Sequence, residues 1–140
     1  MKRTLLVLAA GVLFAAGYWF GAADTAQAQS NRVFELRTYT TVEGRLDALN
    51  ARFRDHTTKL FVKHGITNVG YCVPMDEPRS KNTLLYLLAH SSRDAAKKSF
   101  EAFRNDPAWQ KARDESEASG KIVEKVESVF LVPVDYSPLK

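Results

Sequence analysis

Two of the three histidines in the 140-residue chain, His56 and His64, lie eight positions apart in the stretch DHTTKLFVKHG. Histidine is the usual acid–base group and metal ligand near neutral pH. On a helix, eight residues advance about 12 Å at 1.5 Å per residue, whereas a zinc–nitrogen bond is about 2 Å long. The two histidines therefore cannot share one metal ion, and the scattered acidic residues offer no other ligand set. We predict no metal site.

The two histidines are expected to have separate roles. His56 falls one turn before Leu60 on the apolar stripe of a predicted helix, which favours a buried histidine that is hydrogen-bonded to the sheet. It is also the candidate catalytic residue, because a histidine that reaches a pocket between helix and sheet can act as an acid or base. His64 precedes Gly65, where a histidine complements the helix dipole.

A charged and phenolic set lies on one strand. In VFELRTYT, residues 33–40, Glu35, Arg37 and Tyr39 alternate with apolar positions and share one face. The first two can form an ion pair across a dimer interface, or Arg37 can anchor an anion while Tyr39 donates a hydrogen bond. Tyr71 and Tyr86 on neighbouring strands are expected on the same side. These five residues are the predicted ligand-binding set.

Hydrophobic periodicity and turn residues predict the elements that position these side chains. Strands are expected at 33–40, 66–74, 83–91 and 126–134, and helices at 45–65, 91–103 and 107–119. The order predicts an α+β fold of the ferredoxin-like β-α-β-β-α-β type, with an antiparallel sheet.

Such a sheet carries helices on one face only. If Phe34 and Leu36 meet the helices, then Glu35, Arg37 and Tyr39 lie on the face without helices. Two sheets of this kind can close face to face. We therefore predict a homodimeric α–β barrel with a possible small-molecule ligand inside it.

The N-terminal residues have the composition of a secretory signal. Lys2 and Arg3 precede an uncharged run, Leu5 to Ala23, and Ala26-Gln27-Ala28 fits a signal peptidase site. We predict a signal peptide over 1–28, one domain over 33–138, and a periplasmic or secreted protein. The alternative is an uncleaved membrane anchor, since the run is about long enough to span a bilayer.

Charge and cysteine content limit the remaining possibilities. The formal net charge is +4, and the basic residues are spread along the chain, so no nucleic-acid partner is expected. The single cysteine, Cys72, cannot form a disulfide within the chain. The domain must therefore be stabilised by its core or by a partner subunit.

Several segments together resemble the NIPSNAP family over Val33 to Pro138. They are VFELRTYT, RFRDHTTKLFVKHGI, GYCVP, LLYLLAHSSRDAAKKSFEAFRNDPAW and SVFLVPVDYSP. Cys72 departs from the family pattern, where tryptophan often follows Gly-Tyr. The resemblance implies a dimeric α–β barrel, in a superfamily that includes cofactor-independent monooxygenases and haem enzymes.

We predict no cofactor. Haem degradation in related barrels uses a histidine on the second helix and a tryptophan on a strand, and neither is present at these places. Our main hypothesis is therefore an exported homodimer that binds a small ligand or a partner. The alternative is a cofactor-independent monooxygenase or isomerase that acts on a small aromatic or enolisable compound.

Overall fold

The computed structural model describes residues 32–139, so the predicted signal peptide lies outside the described residues. In this part of the chain the strands are β1 (Val33–Thr41), β2 (Thr67–Cys72), β3 (Thr83–His90) and β4 (Val123–Leu131). The α-helices are α1 (Leu46–Arg52), α2 (Thr58–Lys63), α3 (Arg93–Asn105) and α4 (Pro107–Ser116). Within residues 32–139, no helix combines the length and apolar composition needed to cross a bilayer.

The four strands form one sheet in the order β2-β3-β1-β4, and every neighbouring pair is antiparallel. The predicted α+β fold with an antiparallel sheet is confirmed. Arg37 lies opposite Tyr86 of β3 and Ser128 of β4, and Tyr86 lies opposite Tyr71 of β2. Because directly opposite residues share a face, these four side chains point to the same side of the sheet.

α1 and α2 are two parts of one continuous helix, residues 46–63, which we call the first helix, and it is not α-helical throughout. A π-helical turn, Phe53–Thr57, joins α1 to α2, and the Thr57 hydroxyl donates to the Arg52 carbonyl at 3.2 Å. A π turn contains one more residue than an α turn, so it shifts the buried stripe along the chain. Thr57 and Phe61 are buried as a result.

This shift corrects the prediction for His56. With uninterrupted α-helical spacing, His56 and Leu60 were expected to face the sheet. In the structure Thr57 and Phe61 are the buried residues, Leu60 packs against the edge of the core, and His56 is exposed to solvent. The expected buried histidine is therefore not present at this position.

Local signals set the helix ends. Gly65, at φ +75°, ends the first helix, and the Ile66 amide donates to the Phe61 carbonyl at 2.9 Å. Ser92 caps α3 by accepting from the Ala95 amide. These boundaries agree with the sequence prediction.

The core lies between the helices and one face of the sheet, which we call the helix face. Its buried members are Leu46, Leu49, Phe53, Phe61, Ile66, Leu84, Tyr86, Leu88, Phe100, Phe103 and Ile122. Aromatic rings dominate it and meet mostly edge to face, an arrangement that stabilises ring pairs beyond their buried area.

The predicted orientation of β1 is wrong. Tyr39 packs edge to face on Phe53 at 5.8 Å between ring centroids, and the Arg37 guanidinium lies 4.6 Å from the Phe100 ring centroid. Glu35, Arg37 and Tyr39 therefore belong to the helix face. The aromatic residues that β2, β3 and the helices contribute outweigh the apolar residues of β1, and they decide which side the helices cover.

The opposite side of the sheet, the open face, is apolar and partly exposed. Leu36 lies opposite Leu87 on one side and Val129 on the other. Val129 and Leu131 are 56% and 40% exposed, and no helix covers this face within residues 32–139. An exposed apolar patch of this kind is typical of a protein interface.

Candidate functional site

Glu35 is a buried carboxylate on the helix face of β1. It accepts hydrogen bonds from Arg37 Nη1 at 2.7 Å, Ser128 Oγ at 2.5 Å and His90 Nε2 at 3.1 Å. Burial alone would raise the pKa of Glu35, but these hydrogen bonds and the charge of Arg37 outweigh it, so the pKa lies below its ordinary value. An ionised carboxylate accepts only, so Nε2 of His90 carries the hydrogen.

Arg37 is held on one side by Glu35 and stacks on the Phe100 ring on another. Burial works against its charged form, but the neighbouring Tyr86, Tyr39 and Glu35 side chains favour that form and raise the pKa of Arg37 above its ordinary value. Its Nε is buried without a hydrogen-bond partner, and 17% of its side chain is exposed. Arg37 is therefore a fixed cation with hydrogen-bonding capacity to spare.

The exposed part of Arg37 lines a cleft of about 360 Å³ between α3 and the sheet. The same face of α3 presents Arg93, Lys97 and Arg104 to this cleft. We call this cleft the basic cleft. It is lined by Glu35, Arg37, Arg93, Asp94, Ala96, Lys97, Phe100, Arg104 and Phe130.

The basic cleft combines positive charge with aromatic surface. Four cationic residues face two acidic ones, and one of the acids, Glu35, is already paired with Arg37. The Arg93 guanidinium lies 4.6 Å from the Phe130 ring centroid, as Arg37 does over Phe100. This arrangement can bind a small anion that also carries apolar or planar groups.

The three predicted tyrosines lie together on the helix face, but they form a packed cluster. Tyr86 stacks on Tyr71 with ring centroids 5.4 Å apart and meets Tyr39 at 5.3 Å. Burial, helped by Tyr39, raises the pKa of Tyr86 well above its ordinary value, although the Arg37 charge opposes it. Burial and Tyr39 also raise the pKa of Tyr71. Tyr71 and Tyr86 therefore stay neutral and cannot act as bases near neutral pH.

The structure brings together Glu35, Arg37, Tyr39, Tyr71 and Tyr86, all five residues predicted to bind a ligand. Their place differs from the prediction, since they lie under the helices and not on the open face. Only Glu35 and Arg37 of the five line the basic cleft. Whether any of them binds a ligand stays a prediction.

The candidate catalytic residue lies elsewhere. His56 lines a shallow surface cleft with Asp55, Glu115 and Ser116, and it lines neither the cleft of Arg37 nor that of Tyr39. The structure therefore does not join His56 to the predicted ligand-binding residues.

His64 belongs to a structural network at the end of α2. Its Nε2 lies 2.7 Å from Oδ2 of Asp106, and Lys63 Nζ lies 2.6 Å from the same oxygen. These two hydrogen bonds and one from the Ala108 amide lower the pKa of Asp106 well below its ordinary value. Asp106 thus ties the end of α2 to the start of α4, which it caps.

Sequence reasoning missed the cationic residues of α3 and the two donors His90 and Ser128. Arg93, Lys97 and Arg104 recur at helical spacing with Phe100, a signal that was present in the sequence. Within residues 32–139, no three histidine, cysteine or acidic side chains are grouped as a metal site requires.

Comparisons with known proteins show which family the chain resembles. The NIPSNAP family model matches residues 34–138. A NIPSNAP family protein of unknown function from Agrobacterium tumefaciens is similar in structure, with a TM-score of 0.67, 23% identity, and coverage of 79% of this chain and 96% of that one. A NIPSNAP-like domain protein from Burkholderia xenovorans gives a TM-score of 0.67 at 15% identity, with coverage of 78% and 90%.

A more distant structural neighbour is SnoaB, a cofactor-independent oxygenase from Streptomyces nogalater. Its TM-score is 0.50 at 13% identity, with coverage of 77% of this chain and 98% of that one. No curated protein matches the chain. At these identities the structural neighbours show a shared fold alone.

Proposed function

The chain belongs to the NIPSNAP family. We propose that it is an exported homodimer that binds a small anionic ligand in the basic cleft. The observation that carries the proposal is the placement of Arg37. A buried carboxylate fixes this cation in the wall of a cleft of about 360 Å³, a size within the usual range of small-molecule sites.

The surroundings of Arg37 favour an anion that has an apolar part. Arg93 and Lys97 lie beside it, whereas Phe100 and Phe130 supply flat apolar surface. Arg37 retains an unpaired Nε–H, and its guanidinium is held in place before a ligand arrives. A preorganised cation loses little freedom on binding, which strengthens the interaction. Small aromatic carboxylates have this chemistry.

We expect Arg37→Ala to weaken the binding of an aromatic carboxylate at least about 10-fold, because a hydrogen bond to a charged group contributes about 1.5–3 kcal/mol. A thermal-shift screen of benzoates and naphthoates, followed by calorimetry, measures the effect. Lys97→Ala, on the exposed side of the cleft, serves as a second variant with little cost in stability.

Arg54→Ala is the matched control, because Arg54 is exposed and does not line the basic cleft. Unchanged affinity in both Arg37→Ala and Lys97→Ala would contradict the proposed site. If no carboxylate binds the wild type, the anion-binding function itself is wrong.

The homodimer is supported by the open face of the sheet. Leu36, Leu87 and Val129 form an apolar surface there, and a second copy of the same face can bury it. We propose that the subunit is ferredoxin-like and that two sheets close into a dimeric barrel. The strand order β2-β3-β1-β4 and the structural neighbours support this arrangement.

Export remains a proposal from the sequence of residues 1–28. We expect protein recovered from the periplasm or medium to have the mass of residues 29–140 and to run as a dimer. Intact-mass spectrometry and light scattering on the same sample measure both. Full-length mass would favour a retained anchor, and a monomer at micromolar concentration would contradict the barrel.

The alternative, a cofactor-independent monooxygenase or isomerase, has less support. It required a pocket that holds Arg37 and Tyr39 with His56 within reach. In the structure Arg37 and Tyr39 line separate clefts, and His56 lines a third. The likeness to SnoaB concerns the fold.

A further inference from the structure

We propose a second binding site, for a neutral single-ring aromatic that carries a hydrogen-bond-accepting oxygen, in a pocket between the first helix, α4 and the sheet. The pocket has a volume of about 180 Å³. We call it the aromatic pocket. It is lined by Tyr39, Arg52, Phe53, Thr57, Phe61, Phe103, Trp109, Arg113, Glu117, Val123 and Val126. It is distinct from the basic cleft, since the two share no lining residue.

The size and lining of the aromatic pocket define the apolar part of the ligand. Five of its residues are aromatic, and two valines of β4 complete the apolar wall. An apolar cavity of about 150 Å³ is known to take benzene, so a volume of about 180 Å³ suits one substituted ring. Ring edges and faces on several sides favour an aromatic over an aliphatic guest.

Arg52 defines the polar part. Its side chain is 4% exposed and lies 5.4 Å from the Trp109 ring centroid. Nη1 is 3.1 Å from Oε1 of Glu117 and 3.3 Å from Oγ of Ser116, but Nε is buried with no hydrogen-bond partner. Buried donors are rarely left unpaired, so the guanidinium has a place for one more acceptor.

The charge of Arg52 is already balanced, which distinguishes this ligand from an anion. Glu117 pairs with Arg52, and Arg113 pairs with the neighbouring Asp114 at 2.8 Å. A second negative charge in the aromatic pocket would compete with Glu117 for the same guanidinium. A neutral carbonyl or hydroxyl oxygen satisfies the donor without this cost.

Val126 lines the aromatic pocket at an exposed position, so it can be substituted without disturbing the core. It is 45% exposed on β4 and lies opposite Tyr39, on the helix face. Phenylalanine at this position fits a strand and fills the entrance. Val62→Phe makes the same change on α2, at an exposed position that does not line the aromatic pocket, and it is the matched control.

The experiment uses the indole NMR signal of Trp109, the single tryptophan of residues 29–140. Acetophenone, ethylbenzene and benzoate are titrated into this protein, and the indole shift gives each affinity. We expect acetophenone to bind, and ethylbenzene, which lacks the oxygen, to bind at least about 10-fold more weakly, the factor for a lost hydrogen bond to a charged group. Benzoate should also bind more weakly at this site.

The variants separate this site from the basic cleft. Val126→Phe should abolish the acetophenone-induced shift, whereas Val62→Phe and the basic-cleft variant Lys97→Ala should preserve it. Equal affinities for acetophenone and ethylbenzene in the wild type would contradict the proposed hydrogen bond from Arg52 to the ligand oxygen. A full response in a folded Val126→Phe protein, or no response of the wild type to any probe, would overturn the proposed pocket.

Discussion

Glu35→Gln is expected to lower the free energy of unfolding by about 2–4 kcal/mol, somewhat below the cost of breaking a fully buried ion pair because Arg37 retains some contact with water. The carboxylate accepts from Arg37, His90 and Ser128, and no amide can accept from all three. Urea unfolding at pH 7 measures the loss. Glu127→Gln is the control, since Glu127 is exposed and its ion pair among residues 32–139 is with exposed Lys125.

The same substitution should change the response to acid. The pKa of Glu35 is lower in the folded chain than its ordinary value of 4.5, so its contribution to stability is complete above that value. As the pH falls through the folded value, Glu35 gains a proton and that contribution is lost. We expect a flatter dependence of stability on pH below 4.5 in Glu35→Gln than in the wild type. Equal slopes would contradict the assigned charge state.

Removal of the negative charge of Glu35 should also change ligand binding in the basic cleft. Without this partner, Arg37 keeps its contact with the Phe100 ring but loses the hydrogen bond that fixes its direction. A carboxylate ligand should therefore bind more weakly to Glu35→Gln, although Glu35 itself carries a charge that repels such a ligand. Glu35 is thus a positioning residue for Arg37.

Phe61→Ala should be the most destabilising single substitution in the aromatic core, with a loss of about 3–5 kcal/mol in the free energy of unfolding. Phe61 is almost fully buried and contacts the rings of Phe53, Tyr86, Phe100 and Phe103. Removal of its ring leaves a cavity at the point where α2 and α3 meet the sheet.

The neighbouring residue provides a matched control. Val62→Ala removes apolar atoms from the same turn, but Val62 is 65% exposed, so we expect a change within about 0.5 kcal/mol. Thermal and urea unfolding of both variants measure the difference. A loss below about 1 kcal/mol for Phe61→Ala would mean that the site collapses around the missing ring.

The type and order of the elements could be predicted because they depend on local patterns. Alternation defined β1, and Ser92, Gly65 and the Asp106-Pro107 step set helix ends through their own backbone chemistry. The register of the first helix could not be predicted, because the π turn at Phe53–Thr57 has no clear local signature. It moved His56 to the surface.

The orientation of β1 required information from the whole fold. Both faces of this strand are suitable for packing, since Phe34 and Leu36 lie on one and Tyr39 on the other. Alternation separates two such faces without assigning either to the helices. The aromatic rings on β2, β3 and the first helix decide which face of β1 the helices cover. That choice in turn determines which cleft Arg37 lines.

The pairing of β1 with β4 has a consequence for the timing of folding. Phe34 lies opposite Leu131, and Thr41 lies opposite Val123, so the first and last strands of the domain are neighbours in the sheet. Contacts between such distant parts of a chain form slowly, because the long intervening loop must close first. Synthesis must reach β4 before β1 gains its second neighbour. Since β1 lies between β3 and β4, the sheet is complete only after the last strand of the domain has been made.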